Sequence, residues 1–371
     1  MTEADLPGLQ AQVLGAAFAL AVVFGAIAQR THFGTMGAVA DVVNIGDWSR
    51  ARMWVLAVAV AMAGFNGMVA AGWVEAGKSI YAAPRLIWLS HIVGGLLFGF
   101  GMVLASGCGS KTLVRIGGGN LKSVVVFCVL GIAAFATLKG ITGVWRASTL
   151  DMVALTLPAG QDLPSLLAHA GLGSRRLLAG VLGVGGALVL VAWVLARPEG
   201  RSADVLLGGI GIGAVVAAVW WVSGRLGHLA EHPQTLEEVF LTTSTQRMES
   251  LTFVAPIAYT LDWLILFSDK SKVLTLGVVA VVGVVVGSAV ASLAGGSFRW
   301  EGFAGVEDTA NHLVGAVLMG VGGVTALGCT VGQGLTGLST LAIGSVLAVA
   351  GIVAGGVLAL RWQMWRLERS L

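Results

Sequence analysis

The sequence predicts an all-α polytopic membrane protein with about nine transmembrane helices, two re-entrant segments and an inverted internal repeat. Three observations carry that expectation. Hydrophobic residues make up 56% of the chain and charged residues only 11%, against roughly 25% charged in a soluble domain. Apolar runs of about 20 residues, the length that crosses a bilayer, recur along it. Finally, HIVGGLLFGFGMVLASGC at His91–Cys108 and HLVGAVLMGVGGVTALGC at His312–Cys329 agree without a gap at ten of eighteen positions, 221 residues apart. Membrane bias can explain shared apolar residues. It does not explain a shared His, four shared glycines and a shared Cys in one register.

Taken in order, the expected spans are 11–29, 53–73, 86–107 and 121–144, then 177–197, 203–223, 273–295, 309–328 and 340–360. A polar interruption, 145–176, follows the fourth. Its Pro158, Gln161, Asp162 and Pro164 predict a loop with a short interfacial helix. Two further apolar stretches are too short or too broken to cross. Phe33–Trp48 carries Asp41, Asn44 and Asp47, and Leu251–Phe267 carries Pro256 and Asp262. They read as re-entrant segments, which are tolerated at membrane depth only where protein or a water-filled cavity receives them. Broken segments in matching places of two halves point to a solute path. Each half then holds four spans and one re-entrant segment, and the single span 177–197 between them turns the second half upside down. The expected organisation is a first membrane repeat over 1–150, a polar loop and linking span over 151–202, and an inverted repeat over 203–371. Small residues let such helices approach closely, as in GVVVG at Gly283–Gly287.

The C-terminal RWQMWRLERSL sets Arg361, Arg366 and Arg369 beside Trp362 and Trp365. That is the aromatic and basic flank of a cytoplasmic membrane edge, so the C-terminus is expected in the cytoplasm and the N-terminus outside. The opening MTEADLPG has no basic region and no cleavage site of a signal peptide. A net charge of +3, with no basic run or aromatic platform, gives no reason to expect a nucleic-acid partner. The expected surroundings are the lipid bilayer.

Each repeat delivers a Gly-Cys to the end of an apolar helix. After Cys108 the chain reads GSKTLVRIGGGNLK, and after Cys329 it reads TVGQGLTGLST. Gly107, Gly109 and Gly328 let the backbone come close to a ligand, and N–H groups in such turns make anion sites. Lys111, Arg115 and Lys122 add positive charge on the first side, whereas the second side carries only Thr330, Gln333 and Thr336. A thiol is soft and polarisable and suits a sulfur-bearing anion. The odd cysteine, Cys128 in VVVFCVLG, reads as a packing residue, and Asp47 and Asp262 as turn holders near segment ends. Helical rise puts His91 and His312 about 25 Å from the cysteines of their own stretches, so both read as helix-end anchors or interface groups rather than catalysts. Gly99-Phe-Gly101 and Gly320-Val-Gly322 allow each helix to break, and with or without a break the cysteines are expected on either side of the midplane. Nothing has metal-ligand spacing or a nucleotide fingerprint in a βαβ context, and no cofactor is expected.

At these turns the sequence resembles the YeeE/YedE family of bacterial sulfur-transport membrane proteins. The resemblance rests on SGCGSKTLVRIGGGNLKS at Ser106–Ser123, ALGCTVGQGLTGLSTLA at Ala326–Ala342, LTF at Leu251–Phe253 with its following Pro256, and LDW at Leu261–Trp263, and it covers most of the chain. It implies an hourglass-like inner-membrane protein that takes up thiosulfate or a related small sulfur anion. It also implies that Cys108 and Cys329 are relay thiols passing the ion along by S–H···S hydrogen bonds. A small TusA-like sulfur-carrier protein on the cytoplasmic side is the implied partner. The chain departs from the family in one place. Where a third functional cysteine belongs, in the first re-entrant segment, it reads THFGTMGAVAD with Gly34 at that position; His32 and Thr35 are neighbouring donors.

Other functions stay open at this point. A membrane-bound sulfurtransferase would carry persulfides on the same cysteines, a transporter of a different sulfur species would suit the missing third cysteine, and a pore for another solute would need shape more than thiols. An enzyme is not the expectation, and no ATP-binding site is evident.

Overall fold

The computed structural model of the chain describes residues 5–369. The start of the stretch examined for a signal peptide, 1–4, and the end of the basic tail, 370–371, lie outside the described residues. The first half comprises α1 (Leu6–Arg30), α2 (Thr35–Ile45), α3 (Ser49–Ala70), α4 (Trp88–Leu104), α5 (Gly109–Gly117) and α6 (Leu121–Lys139). Next come α7 (Ile141–Ser148), α8 (Leu163–His169), α9 (Arg175–Leu178) and α10 (Gly185–Leu195). The second half comprises α11 (Ala203–Trp221), α12 (Val254–Ile265), α13 (Leu276–Ala294), α14 (Val306–Thr325) and α15 (Ile343–Glu368). Strand is limited to two short antiparallel ladders among the described residues, Arg85–Leu86 with Leu155–Thr156 and His228–Leu229 with Val239–Phe240.

Eight of the described helical stretches are long and apolar enough to cross a membrane. The ninth expected span, α14, is 20 residues long but opens with Glu307, Asp308, Asn311 and His312. It packs between α4 and α6, so its polar start need not meet lipid. The chain is therefore an all-α polytopic membrane protein. The two re-entrant elements also form as expected. At 11 and 12 residues, α2 and α12 rise only about 17–18 Å, short of the roughly 30 Å hydrocarbon core. Asp47 accepts from Ser49 N–H at 2.9 Å, and Asp262 pairs with Lys272 at 2.7 Å, so both hold turns at segment ends.

Two expectations need correction. The span expected over 121–144 stops at Lys139, because Gly140 is extended (φ −106°, ψ −157°) and a new helix starts at Ile141. That helix, α7, exposes Ile141, Val144 and Trp145 and turns Arg146 inward. The Gly99/Gly101 and Gly320/Gly322 pairs do not break their helices; α4 and α14 run unbroken through them. Their glycines are packing surfaces instead. A Cβ on Gly94 would meet the Gly322 carbonyl at 2.7 Å, and one on Gly101 would meet the Gly315 carbonyl at 2.7 Å.

That pairing fixes the symmetry. Gly94 matches Gly315 in the repeat, and Gly101 matches Gly322. An early residue of α4 therefore faces a late residue of α14, and the reverse, so the two helices run antiparallel about a pseudo-twofold axis. Two antiparallel membrane-crossing helices are related only by an axis in the membrane plane, which is the geometry of an inverted repeat. The other contacts exchange in the same way: α1 packs on α13 and α3 on α11, while α4 packs on α15 and α6 on α14. The GVVVG face closes on α1, with the Gly287 position against the Val22 carbonyl. The link helix α10 packs on α3, where Arg52 donates to the Trp193 carbonyl at 2.9 Å and stacks on the Trp193 ring.

Candidate functional site

The break that delivers each cysteine comes after α4 and α14, and it has the same hydrogen bonds in both copies. Gly107 N–H donates to the Met102 carbonyl and Gly328 N–H to the Gly323 carbonyl, each at 2.8 Å. Ser106 N–H donates to Val103 and Leu327 N–H to Val324, each at 3.1 Å. This is a Schellman ending, in which the left-handed position is normally glycine. Here it holds Ser106 (φ 55°) and Leu327 (φ 58°), matched positions of the repeat. A left-handed leucine costs about 1–2 kcal/mol, and this one is half exposed. Leu327→Gly is therefore expected to raise stability by about 1 kcal/mol, measured as a higher unfolding temperature in detergent. A lower temperature would mean that the leucine side chain contributes more contact than its backbone costs.

Beyond each turn the cysteine starts a short helix. Cys108 is the cap residue of α5, its Sγ 3.2 Å from Ser110 Oγ. Cys329 precedes a widened, π-helical stretch, Gly332–Gly337, a form frequent at functional sites. Gly332 N–H donates to Cys329 Sγ at 3.4 Å, and the N–H groups of Val331 and Phe253 also face that sulfur. Both thiols are buried. Phe253 caps α12 and lies between the two turns: its Cβ is 3.8 Å from where a Cβ on Gly109 would stand. The N-termini of α5, α12 and the π-helical stretch thus meet around the two cysteines, presenting partial positive charge to an anion.

On the first side, Gly34, Gly107, Cys108 and Lys111 line one cavity of about 370 Å³, together with Arg50 and Arg115. Gly34 caps α2, and a Cβ there would find only Lys111 Cδ, at 3.8 Å. Neither Lys111 nor Arg115 forms an ion pair among the described residues. Gln29, Ser106 and Arg115 also line a neighbouring cavity of about 290 Å³. There Lys122 bridges Glu301 at 3.2 Å and Asp308 at 3.3 Å, and His312 faces Asp308 at 3.0 Å.

On the second side, Gly328 and Leu327 line a cavity of about 340 Å³. This side is not uncharged, as its local sequence suggests, because Arg146, Arg247 and Glu249 reach it from segments remote in sequence. Cys329, Thr330 and Gln333 lie deeper and are buried. Gln333 Nε2 donates to the Ala326 carbonyl at 2.6 Å. Its Oε1 and the Thr330 hydroxyl have no partner among the described residues, an uncommon state for buried polar atoms.

The histidines stand at the interface between the two repeats. Each is far from the cysteine of its own helix, but the antiparallel crossing brings it to the other turn. His91 Nδ1 lies 3.2 Å from the Ala326 carbonyl, beside the second Gly-Cys, and His312 shares a cavity with Ser106 at the first. Arg50, Arg146, Arg247 and Glu249 join the site only through folding, and no motif marks them; Phe253 belongs to the LTF match, which assigns it no role.

Comparison with known proteins follows the same lines. The sequence profile of the family described as sulphur transport matches residues 30–358. The thiosulfate transporter TsuA of Escherichia coli (strain K12) is 27% identical over 342 residues, covering 89% of this chain and 90% of that protein. The thiosulfate transporter TsuA of Spirochaeta thermophila is 26% identical over 353 residues, covering 94% of this chain and 97% of that protein. The probable transporter YedE of Salmonella typhimurium is 32% identical over 104 residues, 28% of this chain and 24% of that protein. With nearly its whole helical body matched, and with both Gly-Cys turns inside the matched range, the chain belongs to the sulphur-transport (YeeE/YedE) family.

Proposed function

We propose that the chain imports thiosulfate, or a closely related sulfur anion, across the bacterial inner membrane, with Cys108 and Cys329 as two thiol stations on its path. One observation carries this above the others. The two matched Gly-Cys turns each line a cavity, through Gly107 and Cys108 on the first side and Leu327 and Gly328 on the second, and the antiparallel α4 and α14 set those cavities at opposite ends of the helix pair. Soft S–H groups favour the terminal sulfur of thiosulfate, while backbone N–H groups and Lys111 offset its negative charge. Gly107, Gly109 and Gly328 admit the ion close to the backbone, and Thr330 and Gln333 offer buried polar atoms beside Cys329.

The basic, Trp-flanked end of α15 supports a cytoplasmic C-terminus. The Gly328 cavity then faces outward and the Cys108 cavity inward, where a TusA-like carrier would collect the product. In this reading the two repeats, expected over 1–150 and 203–371 and joined by 151–202, each supply one side of the path. A persulfide-bearing sulfurtransferase fits less well, because a thiol must open to donor and acceptor, and these two are 1% and 0% exposed.

Radiolabelled thiosulfate uptake into proteoliposomes tests the proposal. Uptake above that of protein-free vesicles, with sulfate competing poorly, is expected. Sulfite or another solute carried instead would sink thiosulfate as the substrate. Lys111→Gln is expected to raise KM about tenfold, the loss of roughly 1.4 kcal/mol of charge-assisted binding. An unchanged KM would remove Lys111 from the path.

A further inference from the structure

One acidic group on the path has no role in the thiol stations. Glu249 lies in the loop ahead of α12, is 6% exposed, and lines the Gly328 cavity. Its carboxylate oxygens accept from Ser244 N–H at 3.2 Å and from the Thr245 hydroxyl at 3.4 Å, both neutral donors. No cationic side chain pairs with it among the described residues.

The two arginines of the same cavity are engaged elsewhere. Arg247 donates to the Ser79 carbonyl at 3.4 Å, while Arg146 pairs with Asp151 at 3.1 Å and donates to the Val324 carbonyl at 3.3 Å. The other titratable groups turned toward Glu249 are Tyr81, from the turn before α4, and Tyr259, from α12. Tyr81 donates to the Gly332 carbonyl at 2.7 Å, with Cys329 beyond it; beyond Tyr259 lies Asp262, paired with Lys272. None of these tyrosine, thiol or carboxyl groups brings a positive charge to the carboxylate.

An ionised Glu249 would repel an anion in this cavity across little water, and a neutral one would not. We propose that Glu249 is a proton-binding site linked to the transported anion. Its carboxyl takes one proton from the solution on the Gly328 side as the anion enters, and returns it to that side once the anion has moved on. Burial already pushes this carboxyl up to about 7, so the linkage works near neutral pH. The proposal rests on the transport function above. Linkage is reciprocal: thiosulfate affinity is expected to weaken about tenfold per pH unit above that value, and Glu249→Gln to remove the dependence.

The folded state also holds the proton where the unfolded carboxyl, at 4.5, has lost it. Stability therefore falls as pH rises from 4.5 through about 7, and Glu249→Gln flattens that slope.

Infrared difference spectra of the full chain in detergent, with and without Glu249→Gln, make the test. A protonated-carboxyl band absent from the variant is expected to fade as pH rises through neutrality and to return when thiosulfate is added at about pH 8. Absence of the band at about pH 6 overturns the proton site. Calorimetrically proven thiosulfate binding that leaves the band unchanged overturns the linkage. Should thiosulfate bind neither chain, the transport function fails and the linkage with it, while the titration of the band still decides whether Glu249 holds a proton.

Discussion

Cys329→Ala is expected to lower thiosulfate uptake ten- to a hundredfold. The cysteine is fully buried, and N–H groups of Gly332, Val331 and Phe253 converge on its sulfur. Alanine removes the S–H group of this station. Losing one partner of a buried hydrogen bond costs about 1–3 kcal/mol, and a tenfold effect is about 1.4 kcal/mol. Cys108→Ala is expected to act in the same direction. Gly34→Cys is expected to act the opposite way, raising uptake several-fold. Gly34 sits at φ 171°, extended backbone that any residue adopts, and an added Cβ meets nothing closer than Lys111 Cδ at 3.8 Å. A thiol there would face the cavity that Cys108 closes. Side-by-side uptake by these three variants decides between relay and pore. Unchanged transport by both alanine variants would mean that the path needs only its shape.

The second large effect is on folding. At Gly99 an added Cβ would run into the Ile352 carbonyl on α15, and at the matched Gly320 it would stand 2.6 Å from the Leu130 carbonyl on α6. Both contacts are with helix backbone, which cannot turn aside as a side chain can. Gly99→Ala and Gly320→Ala are each expected to cost about 3 kcal/mol or more, and Gly99→Leu to leave little folded protein in detergent. The control is Gly67→Ala in α3, where nothing lies within 4 Å. Removing that backbone freedom is expected to stabilise by about 0.5–1 kcal/mol. Fluorescence-detected size exclusion after a temperature ramp separates the four variants. Equal midpoints for Gly67→Ala and Gly99→Ala would mean that α4 and α15 can part without loss.

The larger features of the fold were legible because they leave local marks. Apolar length marks the spans, and broken apolar stretches mark α2 and α12. The repeated His-to-Cys segment marks the symmetry. What escaped is what two distant segments make together. The distance from His91 to Cys108 follows from helical rise alone, but its approach to Ala326 depends on how α4 crosses α14. Arg146, Arg247 and Glu249 were invisible as neighbours of Gly328 because each sits in a loop or interfacial helix with no motif. The glycine pairs of α4 and α14 were identified as special residues, but as hinges. A glycine that bends a helix and one that receives another helix look alike in sequence. Ser106 and Leu327 hold a position where glycine is the usual signal, so the helix ends were not announced.

The exchanged contacts of the two halves also have a consequence for how the chain is made. The glycine face of α4 is covered by α14 and α15, which emerge from the ribosome more than two hundred residues later. Until then α4 sits in the bilayer with a bare, closely fitting groove and neither of the helices that fill it. Helix association in lipid rests on such tight fits, so this groove is open to the wrong helix for the whole delay. The pairing of α4 with α14 and α15 is therefore among the last available to the chain, and a ribosome stalled before α14 would leave that face of α4 uncovered.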